Sequence, residues 1–165
     1  MTDHNIWIGA AYQASSPKVL ILGESDYGGT DPLVTYVPQW LDKKHRDYSF
    51  ARISNAFGSS LPRDKFWHQI AFYNFVPGMV GESRNDRPTK SLYQRAQSVL
   101  PDVLNYLKPD GVLILGIEQS EYSQPVLIEL GIAHAISPHP AARGLKNERL
   151  TAAWDNFMQV LKARG

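Results

Sequence analysis

The chain has 165 residues, a net charge of +1 and no cysteine; 43% of its residues are hydrophobic and 20% are charged. This composition is ordinary for a globular protein, and we expect one domain that spans residues 1–165. The absence of cysteine excludes disulfides, a thiolate zinc site and a cysteine-ligated iron–sulfur cluster. Because the net charge is close to zero, any binding of nucleic acid has to come from a local basic patch.

No apolar run approaches the roughly 18 residues that a membrane-spanning helix needs. The first residues lack the basic segment and apolar core of a signal peptide. We therefore expect a cytoplasmic protein that does not contact a membrane.

The first elements in chain order are a short helix and a buried strand. Residues Asn5–Ala14 mix apolar and polar positions, and we predict a short packing helix there. Lys18–Leu22 is an apolar run rich in branched residues that stops at Gly23, which predicts a strand buried on both faces. The polar and small residues 24–29 follow at once. Such a loop after the first strand is where an open α/β sheet usually places its ligand.

Helical patterns fill the stretch up to the second strand. Residues 31–47 are predicted to be partly helical, with Pro38 ending or kinking the helix. The basic residues 43–46 within them are interpreted as a solvated helix end in preference to a phosphate contact. Helical spacing continues over Ser49–Phe57, and a short turn of helix is expected over Pro62–Trp67.

Three further strands alternate with helices. The second strand is predicted over Gln69–Phe75, the third over Val112–Leu115 and the fourth over Ile132–Ile136. The intervening and closing helices are predicted over 89–107, 117–130 and 147–162, with Pro101 bending the first and Pro125 interrupting the second. A polar loop over 81–89 carries Arg84 and Arg87.

This alternation predicts a three-layer α/β/α sandwich around a four-stranded parallel sheet with right-handed crossovers. In a parallel sheet the carboxyl ends of all strands lie at one edge. We therefore expect Glu24, Asp26, Asn74 and His139, which follow different strands, to line one cleft.

These residue types suit recognition and cleavage of a nucleobase. Asn74 offers a donor and an acceptor to the edge of a heterocycle. His139 can donate a hydrogen bond to a developing anion. Glu24 or Asp26 can stabilise positive charge or orient a water molecule. Tyr27 and nearby aromatic residues can form the walls around a flat ligand.

Taken in order over residues 17–162, the motifs resemble those of the uracil-DNA glycosylase superfamily. Its first strand ends in sequences such as GQDPYH, GINPG or GEAPG, and here the stretch is GESDYG, residues 23–28. Its second strand ends in an asparagine, which Asn74 in FYNFVP matches. Its third strand is an apolar run that ends in glycine, as in VLILG. Its fourth strand ends in a His-Pro motif, here SPHPAARGL from residue 137.

Some positions depart from those motifs. Ser25 stands where GQDPY has its aspartate, and Asp26 stands where the motifs have proline. Glu24 matches the glutamate of GEAPG. Ala141, Ala142 and Arg143 follow the His-Pro motif where serine or proline is usual.

The resemblance implies a monomeric DNA glycosylase that hydrolyses the N-glycosidic bond of uracil, or of another deaminated or damaged base, after the nucleotide is flipped out of the duplex. It implies no metal and no organic cofactor. The residues that it implies are catalytic Glu24, Asp26 and His139, with Glu24 favoured over Asp26 for orienting water, and substrate-binding Ser25, Tyr27, Asn74 and Phe75. From their positions in the loops that flank the cleft, we expect the DNA contacts to be Arg84, Arg87, Arg143 and Lys146.

Two other functions are left open. The substitutions at Ser25 and Asp26 are compatible with a non-catalytic member of the same fold that binds a nucleobase or nucleic acid. A hydrolase with Ser25 as nucleophile is also considered, because G-E-S after a strand resembles the G-D-S start of the SGNH esterases. The Asp-x-x-His pattern of those enzymes is missing around His139.

Overall fold

A computed structural model describes residues 5–27, 31–44, 46–58, 60–83 and 85–165. It has a mixed α/β fold around a mostly parallel, five-stranded sheet with the order β1-β3-β2-β4-β5. The strands are β1 (Ile6–Ile8), β2 (Val19–Tyr27), β3 (Ala71–Gly81), β4 (Gly111–Leu115) and β5 (Ala133–Ser137). The mixed α/β class and the mainly parallel sheet agree with the sequence prediction.

The number of strands differs from the prediction because an additional strand lies at one edge. Ile6–Ile8, which was expected to be helical, forms β1 and pairs antiparallel with Ala71–Tyr73 of β3. Trp7 is buried there, and its indole Nε1 donates a hydrogen bond to the carbonyl of Trp67 at 2.9 Å. An open strand edge and an apolar pocket therefore override the local helical pattern. A short 3₁₀ helix follows over Tyr12–Ala14.

The described residues form six α-helices, of which five lie between strands and the sixth follows β5. They are α1 (Leu33–Leu41), α2 (Tyr48–Phe57), α3 (Arg63–Gln69), α4 (Lys90–Leu107), α5 (Ile117–Glu129) and α6 (Asn147–Arg164). Pro38, Pro101 and Pro125 each lie inside a helix that continues past them. Pro38 therefore does not end α1, and Pro125 does not divide α5. Across the described part of the chain, no helix combines the length and apolar character needed to cross a membrane.

Alternate residues of the strands feed two separate apolar cores, one on each face of the sheet. Ile21, Phe72 and Leu113 pack with residues of α1, α2, α3 and α6. Leu20, Tyr73 and Val112 pack with residues of α4 and α5. Both faces of the parallel strands are thus covered, which explains why those strands read as continuous apolar runs.

The first strand that the sequence predicts, β2, extends beyond the point at which a loop is expected. β2 continues through Glu24, Ser25 and Asp26 to Tyr27 and stays paired with β3, which likewise continues past Pro77 to Gly81. The pairing shifts register between Ser25 and Asp26 and again between Asp26 and Tyr27. Such irregularities bend a strand and re-aim its side chains, and they are frequent beside functional sites.

Candidate active site

A cavity of about 340 Å³ opens at the carboxyl edge of the sheet. It is enclosed by the ends of β2 and β3, by α1, by the first turn of α2 and by the loop after β5. The predicted site residues that line it are Glu24, Ser25, Asp26, Asn74 and His139. Its volume is within the range usual for small-molecule sites, and the rings of Phe50 and Phe72 give it aromatic walls.

Asn74 and Asp26 form a hydrogen-bonded pair in this cavity. The Asn74 amide Nδ2 donates to Asp26 Oδ1 at 2.6 Å. Asn74 is only 6% exposed, and its Oδ1 packs directly against the Cα of Gly23, where a Cβ would overlap with it. Gly23 is therefore required for space: any larger residue there would displace the Asn74 side chain.

Burial sets the ionisation of Asp26. Loss of hydration raises the pKa of its carboxyl to about 6; the hydrogen bond from Asn74 opposes this rise and the negative charge of Asp47 adds to it. Asp47 itself is held at the start of α2, where Oδ1 accepts from the Phe50 N–H at 2.8 Å and Oδ2 accepts from the Tyr36 hydroxyl at 2.7 Å. Both Asp47 oxygens are thus used to cap α2 and to hold α1.

His139 is positioned as a hydrogen-bond donor. Its Nδ1 accepts from the Ala141 N–H at 3.1 Å, so the proton of the neutral ring resides on Nε2. Burial lowers the pKa of His139; the charge of Glu24 opposes this shift and that of Arg87 reinforces it. The neutral imidazole therefore predominates at pH 7.

Glu24 lies beside His139 and carries an ion pair. The residue is 4% exposed, and its Oε1 is 2.8 Å from Nη1 of the half-exposed Arg87. Its Oε2 and the His139 side chain both lie within 4 Å of the point where a Cβ on Gly116 would stand. Gly116 has a φ of +106°, which favours glycine, and it directly precedes α5.

Ser25 lacks the partner that a nucleophilic serine requires. Its Oγ is buried in the cavity wall and has no hydrogen-bond partner among the described residues. His139 directs its Nδ1 at its own loop, so the described part of the site contains no Ser–His pair.

Three further predicted residues lie elsewhere or outside the described structure. Phe75 is completely buried on the opposite face of β3, where it stacks on Tyr93, and does not line the cavity. The reason is strand alternation: Phe72 and Asn74 share one face, and Phe75 faces the other. The side chain of Tyr27 and all of Arg84 lie outside the described residues.

A second depression of about 560 Å³ adjoins the cavity at Asp47, Ser49 and His139. Arg46, Arg87 and Arg143 line it, together with the 68% exposed ring of Tyr48. We call this depression the arginine groove. It contains the predicted Arg87 and Arg143, whereas the exposed Lys146 lies just before α6 and outside its lining.

Sequence reasoning missed several residues of the site. Arg46 was interpreted as part of a solvated helix end, yet it lines the arginine groove. Arg52 is buried and donates to the carbonyls of Pro140 and Leu145 and to Asn147 Oδ1, which holds the loop after His139. No local sequence pattern identifies either arginine as part of the site. Phe72 could have been predicted from the sequence, since it lies two residues before Asn74 on the same strand and therefore faces the same side of the sheet.

Within the described ranges, no group of three or more His, Asp or Glu side chains is arranged to hold a metal ion. No protein-family model matches the sequence, and no curated protein matches it significantly.

Proposed function

We propose that the protein is a DNA glycosylase that hydrolyses the N-glycosidic bond of uracil or of another deaminated or damaged base. The observation that carries this proposal is the convergence of Glu24, Asp26, Asn74 and His139 on one aromatic-walled cavity. The motif resemblance supports it, and we take the parallel strands with helices on both faces as the three-layer sandwich of that superfamily.

The reaction places a flipped-out nucleotide in the cavity. The bond between C1′ of the sugar and the base nitrogen breaks, and the base takes the bonding electrons and leaves as an anion. The Nε2 proton of His139 is available to hydrogen-bond the base carbonyl oxygen on which that charge accumulates. Water then adds to C1′, and one of its protons neutralises the departing base.

Positive charge develops on the sugar as the bond breaks, so a nearby carboxylate lowers the barrier. Glu24 is the better candidate because it lies beside His139, whereas Asp26 is tied to Asn74. Arg87 holds the Glu24 carboxylate in position and links it to the arginine groove.

The arginine groove supplies the local basic patch that a nearly neutral protein needs to bind DNA. Its three arginines lie beside the cavity mouth, where the phosphates on either side of an extruded nucleotide would pass. We therefore add Arg46 to the proposed DNA contacts, which are otherwise Arg84, Arg87, Arg143 and Lys146.

The test is a single-turnover assay of abasic-site formation on oligonucleotides that carry uracil, hypoxanthine, xanthine or 8-oxoguanine. We expect excision from at least one of them. Glu24→Gln should lower the rate by about 100-fold or more with unchanged DNA affinity, since the charge acts mainly on the transition state. Glu129→Gln, an exposed carboxylate-to-amide change in α5, serves as the matched control.

If the wild type binds these oligonucleotides and excises nothing, the protein is a non-catalytic base-binding member of the fold. If Asp26→Asn abolishes excision while Glu24→Gln retains it, Asp26 is the catalytic carboxylate. An esterase activity lost in Ser25→Ala would instead favour the serine hydrolase.

A further inference from the structure

Asp26, more than Asn74, presents an open hydrogen-bond acceptor to the cavity. The Asn74 Oδ1 packs against Gly23, and one of its amide hydrogens is used on Asp26. Among described residues, Asn74 is the only hydrogen-bond partner of the Asp26 carboxylate, and it uses Oδ1 alone. The second oxygen, Oδ2, is therefore available to a ligand.

Two of the neighbouring carboxylates are already engaged by other residues, and a third is exposed. Both oxygens of Asp47 accept hydrogen bonds, from Phe50 and Tyr36. Glu24 is engaged by Arg87 on the other side of the site. Asp31 is exposed at the rim of the cavity. Asp26 is thus the partly buried, cavity-lining carboxylate that keeps one oxygen without a hydrogen-bond partner among the described residues.

We propose that Asp26 is the specificity-determining residue of the pocket and that it selects a nucleobase with two adjacent N–H donors, as guanine has at N1 and N2. This inference rests on the proposed function, since it takes the cavity to be a nucleobase pocket. The substrate class is then a damaged guanine that retains its Watson–Crick edge.

The chemistry follows from the donors and acceptors of each edge. A carboxylate accepts from N1–H and from the N2 amino group side by side, one on each oxygen. Oδ2 is open to one of these donors, and Oδ1 can accept the other on its second lone pair beside the hydrogen bond from Asn74. The remaining amide hydrogen of Asn74 lies next to the carboxylate and suits the adjacent O6. Uracil presents a carbonyl oxygen on each side of its single N–H, so a carboxylate oxygen would face a carbonyl oxygen.

Asp26 is also set up to remain fixed as it recognises the base. Asn74, on the neighbouring strand β3, holds Oδ1 at 2.6 Å, and the packing of Asn74 on Gly23 restricts that side chain in turn. A preorganised acceptor loses little entropy on binding, which favours discrimination between edges.

The experiment measures binding of deoxyguanosine, deoxyinosine and deoxyuridine to the full chain by titration calorimetry at about pH 7.5. Deoxyinosine keeps N1–H and lacks the N2 amino group. We expect deoxyguanosine to bind about 10-fold more tightly than deoxyinosine and about 100-fold more tightly than deoxyuridine. Asp26→Asn should abolish both preferences, while Asp102→Asn, an exposed change in α4, should retain them.

Tightest binding of deoxyuridine, equal binding of all three, or no binding of any up to about 10 mM would overturn the inference. The excision assay then distinguishes failure of this inference from failure of the proposed function. Release of uracil without a preference for deoxyguanosine would support the glycosylase activity and exclude the proposed role of Asp26. A preference for deoxyguanosine that depends on Asp26, without formation of abasic sites, would support base recognition by Asp26 and exclude the glycosylase activity.

Discussion

At the scale of single residues, Asp26 holds a charge in an environment that disfavours it. Its pKa of about 6 is raised above the ordinary value of 3.8, chiefly because it is buried. The folded protein therefore binds the proton more tightly than the unfolded chain does. Ionised Asp26 costs stability, and this cost appears as the pH rises from about 4 to about 6.

We therefore predict that Asp26→Asn stabilises the protein above about pH 6. The isosteric amide removes the charge and still offers an oxygen to Asn74. A rise of the pKa from 3.8 to about 6 would correspond to about 3 kcal/mol at most, but Asp26 is partly accessible to water, so we expect about 1 kcal/mol. The measurement is the free energy of unfolding in urea at about pH 7.5 and about pH 4.5.

The gain should fall to about a third at about pH 4.5, and it should vanish only below about pH 3.8, where the wild-type carboxyl is protonated in the folded and the unfolded state alike. The side chains of Glu24, Asp47 and His139 surround Asp26 in both proteins, so the difference between variant and wild type isolates Asp26. Asp102→Asn should show no such pH-dependent gain. A variant that is less stable than the wild type at about pH 7.5 would contradict the prediction.

At the scale of elements, α2 determines the shape of the loop that carries His139. Arg52 is buried in α2 without an acidic partner among the described residues, and it donates to Pro140 O at 2.7 Å and to Asn147 Oδ1 at 3.0 Å. Its guanidinium also lies 5.5 Å from the centre of the Tyr48 ring. A planar group with several fixed donors can hold a loop in this way, and a lysine cannot replace it.

We predict that Arg52→Met loosens residues 140–147. The free energy of unfolding should fall by about 2–3 kcal/mol because carbonyl groups are left unpaired. Trypsin should cleave after Arg143 and Lys146 several-fold faster than in the wild type, with the products identified by mass spectrometry. Excision should fall with it, since Pro140 directly follows His139.

Arg95→Met, an exposed change in α4, is the control for the loss of an arginine. Unchanged cleavage at Arg143 and Lys146 in Arg52→Met would show that the loop holds its shape without these hydrogen bonds.

At the scale of the whole molecule, charge is distributed unevenly although it nearly cancels. The net charge is +1, yet three arginines line one groove beside an acidic cavity. In the proposed function, this groove binds the phosphate backbone and the cavity holds the nucleotide.

We predict that Arg46→Gln and Arg143→Gln each weaken DNA binding and reduce the dependence of log K on log salt by about 0.7–0.9, the value for one lost phosphate contact. Arg164→Gln, at the far end of α6, should leave the slope unchanged. Fluorescence anisotropy with a labelled oligonucleotide over a series of salt concentrations measures the slope. If the slope in all three variants equals that of the wild type, the DNA does not contact the arginine groove.

Much of the fold follows from local patterns in the sequence. Apolar runs that stop at glycine or proline mark the parallel strands, and periodic apolar residues mark helices such as α4 and α6. These patterns are local because each reports the burial of successive residues on one element. They also place Asn74 and His139 at the ends of parallel strands, and hence at one edge of the sheet.

The tertiary structure decided what the sequence by itself could not. Strand β1 depends on an open edge of β3 more than 60 residues away. The Asn74–Asp26 pair spans 48 residues and the Arg52 contacts span 88 to 95 residues. Such partners are chosen by strand order, register and loop position, which no local spacing encodes. The sequence alone determined that Glu24, Asp26, Asn74 and His139 meet at one edge of the sheet. Only the packing decided which further side chains line the cavity, which of them hold one another and which keep a polar atom for a ligand, because those contacts join segments far apart in the chain.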